Sequence, residues 1–246
     1  MSVNDVLLYE IAMRPNRPTK SEVLESCSML NALDPSMRNR LVAASFLAYA
    51  ERGELIWSAG APADFAGVVG AGFVKMTKES TSGHEMAVEL LGPGQDFGLL
   101  AVLDGANYAL NAIAVSNTWY LKLPTSLIQG LFAIEGAMMV QLIRQVAPRL
   151  RCAQEMMIRL SSSRVEERIA VVLLMLADSY GEQTGLGTKI GVPLTRQDIA
   201  EMAGTSVETT VRILSSWQRN RVVHTDCRHI TILNGGSLLR AIHTGR

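Results

Sequence analysis

The segment at residues 195–216 constrains the fold of this chain more than any other stretch. It opens with a capping pattern, because Thr195 is followed three residues later by the carboxylate of Asp198. Gly204 then stands where a helix end favours a left-handed residue, and Ser206 can cap a second helix. A short helix, a tight glycine turn and a second helix form the helix-turn-helix, which places its second helix in the major groove of DNA.

The second predicted helix has two chemically different faces. Its inner face follows the spacing i, i+3, i+4 and i+7 and consists of Thr210, Ile213, Leu214 and Trp217. Its outer face has the same spacing and consists of Glu208, Val211, Arg212 and Ser215. Arg212 can bond a guanine edge, Glu208 can accept from a cytosine amino group, and Val211 can touch a thymine methyl. The alternative is an exposed Glu208–Arg212 ion pair, but the complete capped unit favours base reading.

A hairpin is predicted behind the second helix. Alternating runs at residues 222–224 and 229–232 flank a short polar turn, as in the wing of a winged helix-turn-helix. Three arginines on this wing can meet DNA phosphates, the alternative being solvated charge: Arg219, Arg221 and Arg228. The net charge of the chain is zero, but from Thr205 onwards six arginines stand against two acidic residues. This local excess of positive charge favours a phosphate partner.

The N-terminal half has a different sequence pattern. Residues 1–20 are predicted to form a loose arm, and residues 21–50 have the apolar spacing of helices. Between residues 53 and 122, short β-favouring runs alternate with glycine, proline, aspartate and asparagine at roughly ten-residue spacing. These runs are Leu55–Trp57, Phe73–Met76, Met86–Leu91 and Trp119–Leu123. The pattern predicts a compact β-sandwich or barrel.

Residues 135–161 are predicted to form one long helix with an apolar stripe. The stripe steps by three and four residues and consists of Met139, Leu142, Val146, Leu150, Ala153, Met157 and Leu160. Such a stripe is typical of a helix that pairs along its length with a second copy, the alternative being packing on the chain's own core. Pro148 lies within the stripe and is expected to bend the helix.

The connection between the two halves is predicted from residue 161 onwards. Three consecutive serines at residues 161–163 are the expected hinge, and a further helix follows over residues 165–177. A polar, glycine-rich loop is expected over residues 181–191, with a short strand at Ile190–Leu194.

Several classes of protein are excluded by composition. Every apolar stretch is interrupted before about 18 residues, so no membrane span is expected. The first 25 residues lack the central apolar run of a secretory signal, and three well-separated cysteines fit reduced thiols in the cytoplasm. A β-roll metalloenzyme needs two histidines and a carboxylate, whereas residues 53–123 contain one histidine, His84. The chain is therefore expected not to be an enzyme.

Ordered landmarks along residues 27–240 point to a known family. In the β region they are Gly53-Glu-Leu-Ile-Trp-Ser-Ala-Gly60, Gly72-Phe-Val-Lys, Ser82-Gly-His-Glu and Leu91-Gly-Pro-Gly-Gln-Asp-Phe-Gly98. In the C-terminal half they are Val165-Glu-Glu-Arg168, Leu194-Thr-Arg-Gln-Asp-Ile-Ala and Glu208-Thr. With these landmarks the chain resembles the Crp/Fnr superfamily, that of the cyclic-AMP receptor protein and the fumarate–nitrate reduction regulator.

The resemblance implies an α+β fold with an N-terminal cyclic-nucleotide-binding-like β jelly roll, a long dimerisation helix and a C-terminal winged helix-turn-helix. The expected bounds are 1–20 for a flexible arm, 21–134 for the sensor domain with its flanking helices, 135–161 for the dimerisation helix and 164–246 for the DNA-binding domain. It further implies a homodimer on twofold-symmetric double-stranded DNA, with half-sites about one helical turn apart, and RNA polymerase as a partner.

The resemblance also assigns residues on the helix-turn-helix. The family's base-reading positions fall on Val207, Glu208, Val211 and Arg212. The form Val-Glu-x-x-x-Arg is more similar to the fumarate–nitrate reduction branch, which implies a half-site of the TTGA type. The full predicted set of DNA contacts is Thr195, Arg196, Gln197, Ser206, Val207, Glu208, Thr209, Val211, Arg212 and Ser215.

The expected effector pocket departs from the family pattern. Members that bind cyclic nucleotides hold the phosphate with a glutamate after Phe-Gly and an Arg-Ser or Arg-Ala pair further on. This chain has Leu99 and Tyr108-Ala109 at those positions, and Ala153 and Gln154 where the long helix would meet the purine. Because a phosphate diester needs a cation and oriented donors, cyclic AMP is not expected as the effector.

Other cofactors are equally poorly supported by the sequence. An iron–sulfur cluster needs about four thiolates, and the N-terminal region has Cys27 alone. Haem is disfavoured, with His84 and Cys152 as its only weak candidates, and no metal site is predicted. Gly67 and Gly70 either open room for an apolar ligand or mark a bulge. The sensor is thus expected to take an unidentified effector other than cyclic AMP; the alternative is a constitutive regulator with a ligand-free sensor domain.

Overall fold

The computed structural model describes residues 15–30, 33–79, 83, 85–134 and 136–243. The chain forms two compact units: an N-terminal unit of residues 1–78 and 89–147, and a C-terminal unit of residues 79–88 and 148–246. The jelly roll, the long helix and the C-terminal helix-turn-helix predicted from the sequence are confirmed.

Among the described residues, the first part of the chain forms four short helices, eight strands and the long helix α5. In chain order the elements are α1 Lys20–Ser26, α2 Pro35–Ala44, β1 Phe46–Ala50, β2 Leu55–Trp57, β3 Phe65–Ala71, β4 Val74–Glu79, β5 Glu85–Leu91, β6 Asp96–Phe97, α3 Leu99–Asp104, β7 Asn111–Ala114, β8 Thr118–Pro124, α4 Thr125–Ile134 and α5 Gly136–Ser162. The strands form two four-stranded sheets, ordered β1-β8-β3-β6 and β2-β7-β4-β5. Together the two sheets make the β-sandwich.

The start of the chain differs from the sequence prediction in two places. Of the predicted arm, residues 1–14 lie outside the described residues, whereas Thr19 caps α1 in a capping box with Glu22. The apolar spacing predicted helices over residues 21–50, but α2 ends at Ala44 and strand β1 follows. The reason is tertiary: β1 pairs in register with β8, which a local apolar count does not detect.

One apolar core lies beneath the helices of the N-terminal unit. It contains fully buried residues from α1, α2, β3, β8 and α4, among them Leu24, Leu41, Val68, Leu121 and Ile128. The sequence prediction lacked strands β1, β3, β6 and β7, and β3 contains Gly67 and Gly70. A register shift between Val69 and Ala71 places a bulge at Gly70, in agreement with one of its two interpretations.

The C-terminal unit consists of helices and one small sheet. After the end of α5 its elements are α6 Val165–Tyr180, β9 Gly181–Thr184, β10 Gly187–Ile190, α7 Arg196–Ala203, α8 Val207–Arg219, β11 Val223–Asp226, β12 His229–Ile232 and α9 Gly235–His243. The sheet order is β11-β12-β10-β9. The expectation of a loop over residues 181–191 is wrong, since β9 and β10 pair as a hairpin, and residues 191–194 form no strand.

Among the described residues, no single helix is long and apolar enough to cross a membrane. In the same part of the chain, α4 and α5 reach the length and apolar composition of a membrane span only when the two are counted together, and a bend separates them.

Gly67 is expected to tolerate no side chain. An added Cβ would overlap the ring of Phe97, which is itself buried. We predict that Gly67→Ala lowers the free energy of unfolding by about 1–3 kcal/mol, measured by urea denaturation. Gly130→Ala is the matched control, since Gly130 lies in α4 with nothing within 4 Å of the added Cβ. Equal stability of the two variants would contradict this packing.

Candidate nucleic-acid interface and sensor interior

Helix α7 begins and ends as its sequence dictates. The Thr195 backbone N–H donates to Asp198 Oδ2 at 2.8 Å, and the Asp198 N–H donates to Thr195 Oγ1 at 3.1 Å. This capping box satisfies N–H groups that have no partner inside the helix. The helix ends at Gly204, whose φ of 59° lies in the left-handed region. The predicted cap and turn are thus both confirmed.

Helix α8 starts from the predicted second cap. The Thr209 N–H donates to Ser206 Oγ at 3.2 Å. On the inner face, Thr210, Leu214 and Trp217 are 0%, 1% and 5% exposed. The fourth predicted member, Ile213, is half-buried. Even the Thr210 hydroxyl is satisfied, since it donates to the Ser206 carbonyl. The recognition unit therefore has a well-packed inner side.

The outer face of α8 is open to solvent. Glu208, Val211, Arg212 and Ser215 are all exposed, as their spacing predicts. Although both residues are among those the structure describes, Glu208 and Arg212 form no ion pair with each other. Backbone hydrogen bonding at the helix start and the Ser206 hydroxyl lower the pKa of Glu208. The outer face therefore presents the carboxylate of Glu208, the guanidinium of Arg212 and the apolar side chain of Val211.

The other predicted contacts surround this face. Val207 and Thr209 are half-buried at the start of α8. In the first turn of α7, Gln197 is exposed and donates to Glu201 at 2.7 Å. Arg196 is half-buried, and its burial lowers the pKa of its guanidinium. Of these four side chains, Gln197 is therefore the most accessible to solvent.

The predicted wing is confirmed as the hairpin of β11 and β12. Its turn contains Cys227, which has a positive φ of 49°, and Arg228 is exposed beside it. Arg219 and Arg221 are exposed at the end of α8.

Sequence reasoning missed two residues that hold this unit together. The indole Nε1 of Trp217 donates to Glu166 Oε1 at 3.0 Å, which ties α8 to α6. Arg168 donates to two backbone carbonyls of the glycine turn and to the Ser163 carbonyl directly after α5. Glu166 and Arg168 both lie in the landmark Val165-Glu-Glu-Arg168. This landmark is the sequence signal that could have identified them.

The stripe on α5 is only partly covered. Met139, Leu150 and Met157 are 48%, 56% and 67% exposed. The rest of the stripe is half-buried, namely Leu142, Val146, Ala153 and Leu160. Leu142 packs against the core of the N-terminal unit. For this residue, the alternative of packing on the chain's own core therefore holds. Large apolar side chains nevertheless remain in contact with solvent in the single chain.

The interior of the β-sandwich is filled by aromatic rings. Tyr108 stacks on Trp57 with ring centroids 3.9 Å apart, and Phe97 stacks on the same indole at 5.0 Å. The Tyr108 hydroxyl donates to the Phe65 carbonyl, and burial raises the pKa of Tyr108. An added Cβ at Gly98 would meet Trp57 at 2.9 Å and Tyr108 at 3.0 Å. The rings are therefore closely packed.

The predicted pocket residues do not share one environment. Leu99 is 2% exposed and belongs to the core beneath the helices, while Tyr108 belongs to the aromatic core. Ala109 is exposed, and on α5 Ala153 is half-buried and Gln154 is exposed.

Side chains also fill the space beside Gly67 and Gly70, where the sequence left room for an apolar ligand as one interpretation. Beside Gly67 lies the Phe97 ring, and beside Gly70 lie Val23 and Pro18. His84 lies outside the described residues, and Cys152 is exposed. Within the described part of the chain, no group of three or more His, Cys, Asp or Glu side chains is arranged to hold a metal ion.

Comparison with known proteins supports both halves. Residues 48–135 match the cyclic nucleotide-binding domain family, and residues 167–241 match the Crp-like helix-turn-helix domain family. A CRP-like cAMP-activated global transcriptional regulator of Mycobacterium tuberculosis is 24% identical over 219 residues, which is 89% of this chain and 98% of that protein. The transcriptional activator protein FnrA of Stutzerimonas stutzeri is 26% identical over 157 residues, 64% of this chain and 62% of that protein.

Solved structures agree at the level of the fold. FixK2 of Bradyrhizobium japonicum superposes with a TM-score of 0.71 at 24% identity, covering 80% of this chain and 96% of FixK2. With both domain families matched in order, the chain belongs to the Crp/Fnr superfamily. It is a DNA-binding transcription regulator with a domain of the cyclic nucleotide-binding type.

The capping box makes a local prediction. Thr195→Ala removes the hydroxyl that receives the Asp198 N–H, and should destabilise α7 by about 1 kcal/mol. Hydrogen exchange of the α7 amides should then be faster by roughly fivefold, the factor that 1 kcal/mol represents. Thr195→Ser keeps the hydroxyl and should exchange like the unaltered protein. Equal acceleration in both variants would show that the cap does not hold the helix.

Proposed function

We propose that this protein binds DNA as a homodimer and reads a twofold-symmetric operator with half-sites of the TTGA type. The observation that carries this proposal is the outer face of α8, where Glu208, Val211 and Arg212 are exposed, while Thr210, Leu214 and Trp217 on the opposite face are buried. A rigid helix with such a face is what base reading in the major groove requires.

Each exposed group has a base edge that it suits. The Arg212 fork can bond guanine O6 and N7, and the Glu208 carboxylate can accept from the amino group of cytosine. Glu208 is exposed, and a glutamate in water is ionised at neutral pH, so its carboxylate can act as the acceptor. The absence of a Glu208–Arg212 ion pair among the described residues leaves both groups available for bases.

Dimerisation is supported by the exposed part of the α5 stripe. Met139, Leu150 and Met157 would lose contact with water on pairing with a second copy of the same helix. Two copies related by a twofold axis would present two α8 helices to successive major grooves about 10 bp apart. Action on RNA polymerase and a cytoplasmic location belong to the same proposal.

The sensor domain is proposed to take an effector other than cyclic AMP, unlike the cAMP-activated relative. Leu99 and Tyr108 replace charged groups, and both are buried in packed cores. A second candidate is a constitutive regulator with a ligand-free sensor. It is favoured by the stack of Tyr108 on Trp57, because these rings fill the interior that a ligand would need.

Arg212→Ala and Glu208→Ala should each weaken binding to the operator by roughly 1–3 kcal/mol, measured by fluorescence anisotropy at fixed salt. Arg212→Ala should also lose its preference for guanine in the half-site. Arg40→Ala is the control, since Arg40 is an exposed arginine on α2 of the N-terminal unit. Unchanged affinity of both outer-face variants would refute the base-reading roles.

The two sensor hypotheses predict different effects of small molecules. Operator affinity is compared between protein taken directly from cells and protein stripped by unfolding and refolding. A constitutive regulator keeps its affinity, whereas a liganded sensor loses it and regains it with the cell extract. Added cyclic AMP should change neither preparation; a rise in affinity with cyclic AMP would contradict both hypotheses.

A further inference from the structure

Arg168 lies on the first turn of α6 and joins three parts of the C-terminal unit. Its Nε donates to the Ala203 carbonyl at 2.8 Å, and its Nη2 donates to the Gly204 carbonyl at 3.1 Å. Its Nη1 donates to the Ser163 carbonyl at 2.9 Å. The first two carbonyls form the turn of the helix-turn-helix, and the third belongs to the residue directly after α5.

The same turn packs directly on the end of α5. A Cβ added at Gly204 would lie 2.6 Å from Leu160 Cδ2, so the turn approaches the last turns of this helix closely. Gly204 thus serves twice, because its φ is left-handed and its missing side chain leaves room for Leu160. Beside this contact, Glu166 receives the Trp217 N–H and fixes the far end of α8.

Arginine suits this position because its guanidinium is planar and presents several donors in fixed directions. One guanidinium here binds carbonyls that lie 40 and 41 residues apart along the chain, from Ser163 to Ala203 and Gly204. Lysine keeps the charge but has a single nitrogen, which cannot replace three separately directed donors.

We infer that Arg168 is a positioning residue that fixes the angle between the end of α5 and the recognition unit, and thereby sets the operator spacing. This inference rests on the proposed dimer. In such a dimer α5 is the shared element, so any change in this angle is repeated on both sides of the twofold axis. One base pair rotates a half-site by about 35°, since a helical turn takes about 10–10.5 bp. A firmly held unit should therefore reject a shifted half-site.

The test compares three operators whose half-sites are separated by the preferred spacing, one base pair less and one more. Arg168→Gln should lose preference for the correct spacing by roughly 2- to 30-fold, the range found for residues that couple two sites. Arg168→Lys should lose less. Arg164→Gln is the matched control, since Arg164 is an exposed arginine in the same connection, and it should keep the preference.

A merely structural role predicts another result. If Arg168→Gln lowers the melting temperature and weakens all three operators by the same factor, or changes nothing, the inference is overturned. Should Arg168→Gln fail to fold, Arg168→Lys decides by the same ratio of affinities. Failure of the proposed function is seen separately: Arg212→Ala would then bind the preferred operator as tightly as the unaltered protein, whatever the Arg168 variants do.

Discussion

The left-handed turn at Gly204 is the constraint on which the recognition unit depends. A residue with a side chain is strained at this φ and would also meet Leu160, so glycine satisfies a conformational and a packing requirement at once. Once this turn is made, α7 and α8 are held by their own caps. Thr210 and Leu214 on the inner face of α8 are buried, which holds the outer face in a fixed orientation.

The sequence predicted this unit well because its determinants are local. Thr195, Asp198, Gly204 and Ser206 specify caps and a turn within a dozen residues, and each does in the structure what its type predicts. The β-sandwich was predicted only as a class. Strand β1 looks helical by its neighbours and becomes a strand by pairing with β8, a contact more than 60 residues away that no local pattern contains.

Long-range contacts also explain what was missed at the functional site. Arg168 could be seen as part of a family landmark, but its three carbonyl partners are brought together only by the fold. Likewise, the sequence indicated that charged groups were replaced by Leu99 and Tyr108. It could not indicate that Tyr108 would stack on Trp57 and fill the interior. The helix-turn-helix is therefore specified by local chemistry, whereas the interior of the β-sandwich is defined by how its rings pack.

The proposed role of the outer face of α8 is to read bases in a symmetric pair of half-sites. Selection of bound sequences from a random DNA library by the full-length protein tests it most directly. We expect enrichment of a twofold-symmetric site with TTGA-like half-sites centred about one helical turn apart. Enrichment of an asymmetric single site, or of no sequence at all, would contradict it.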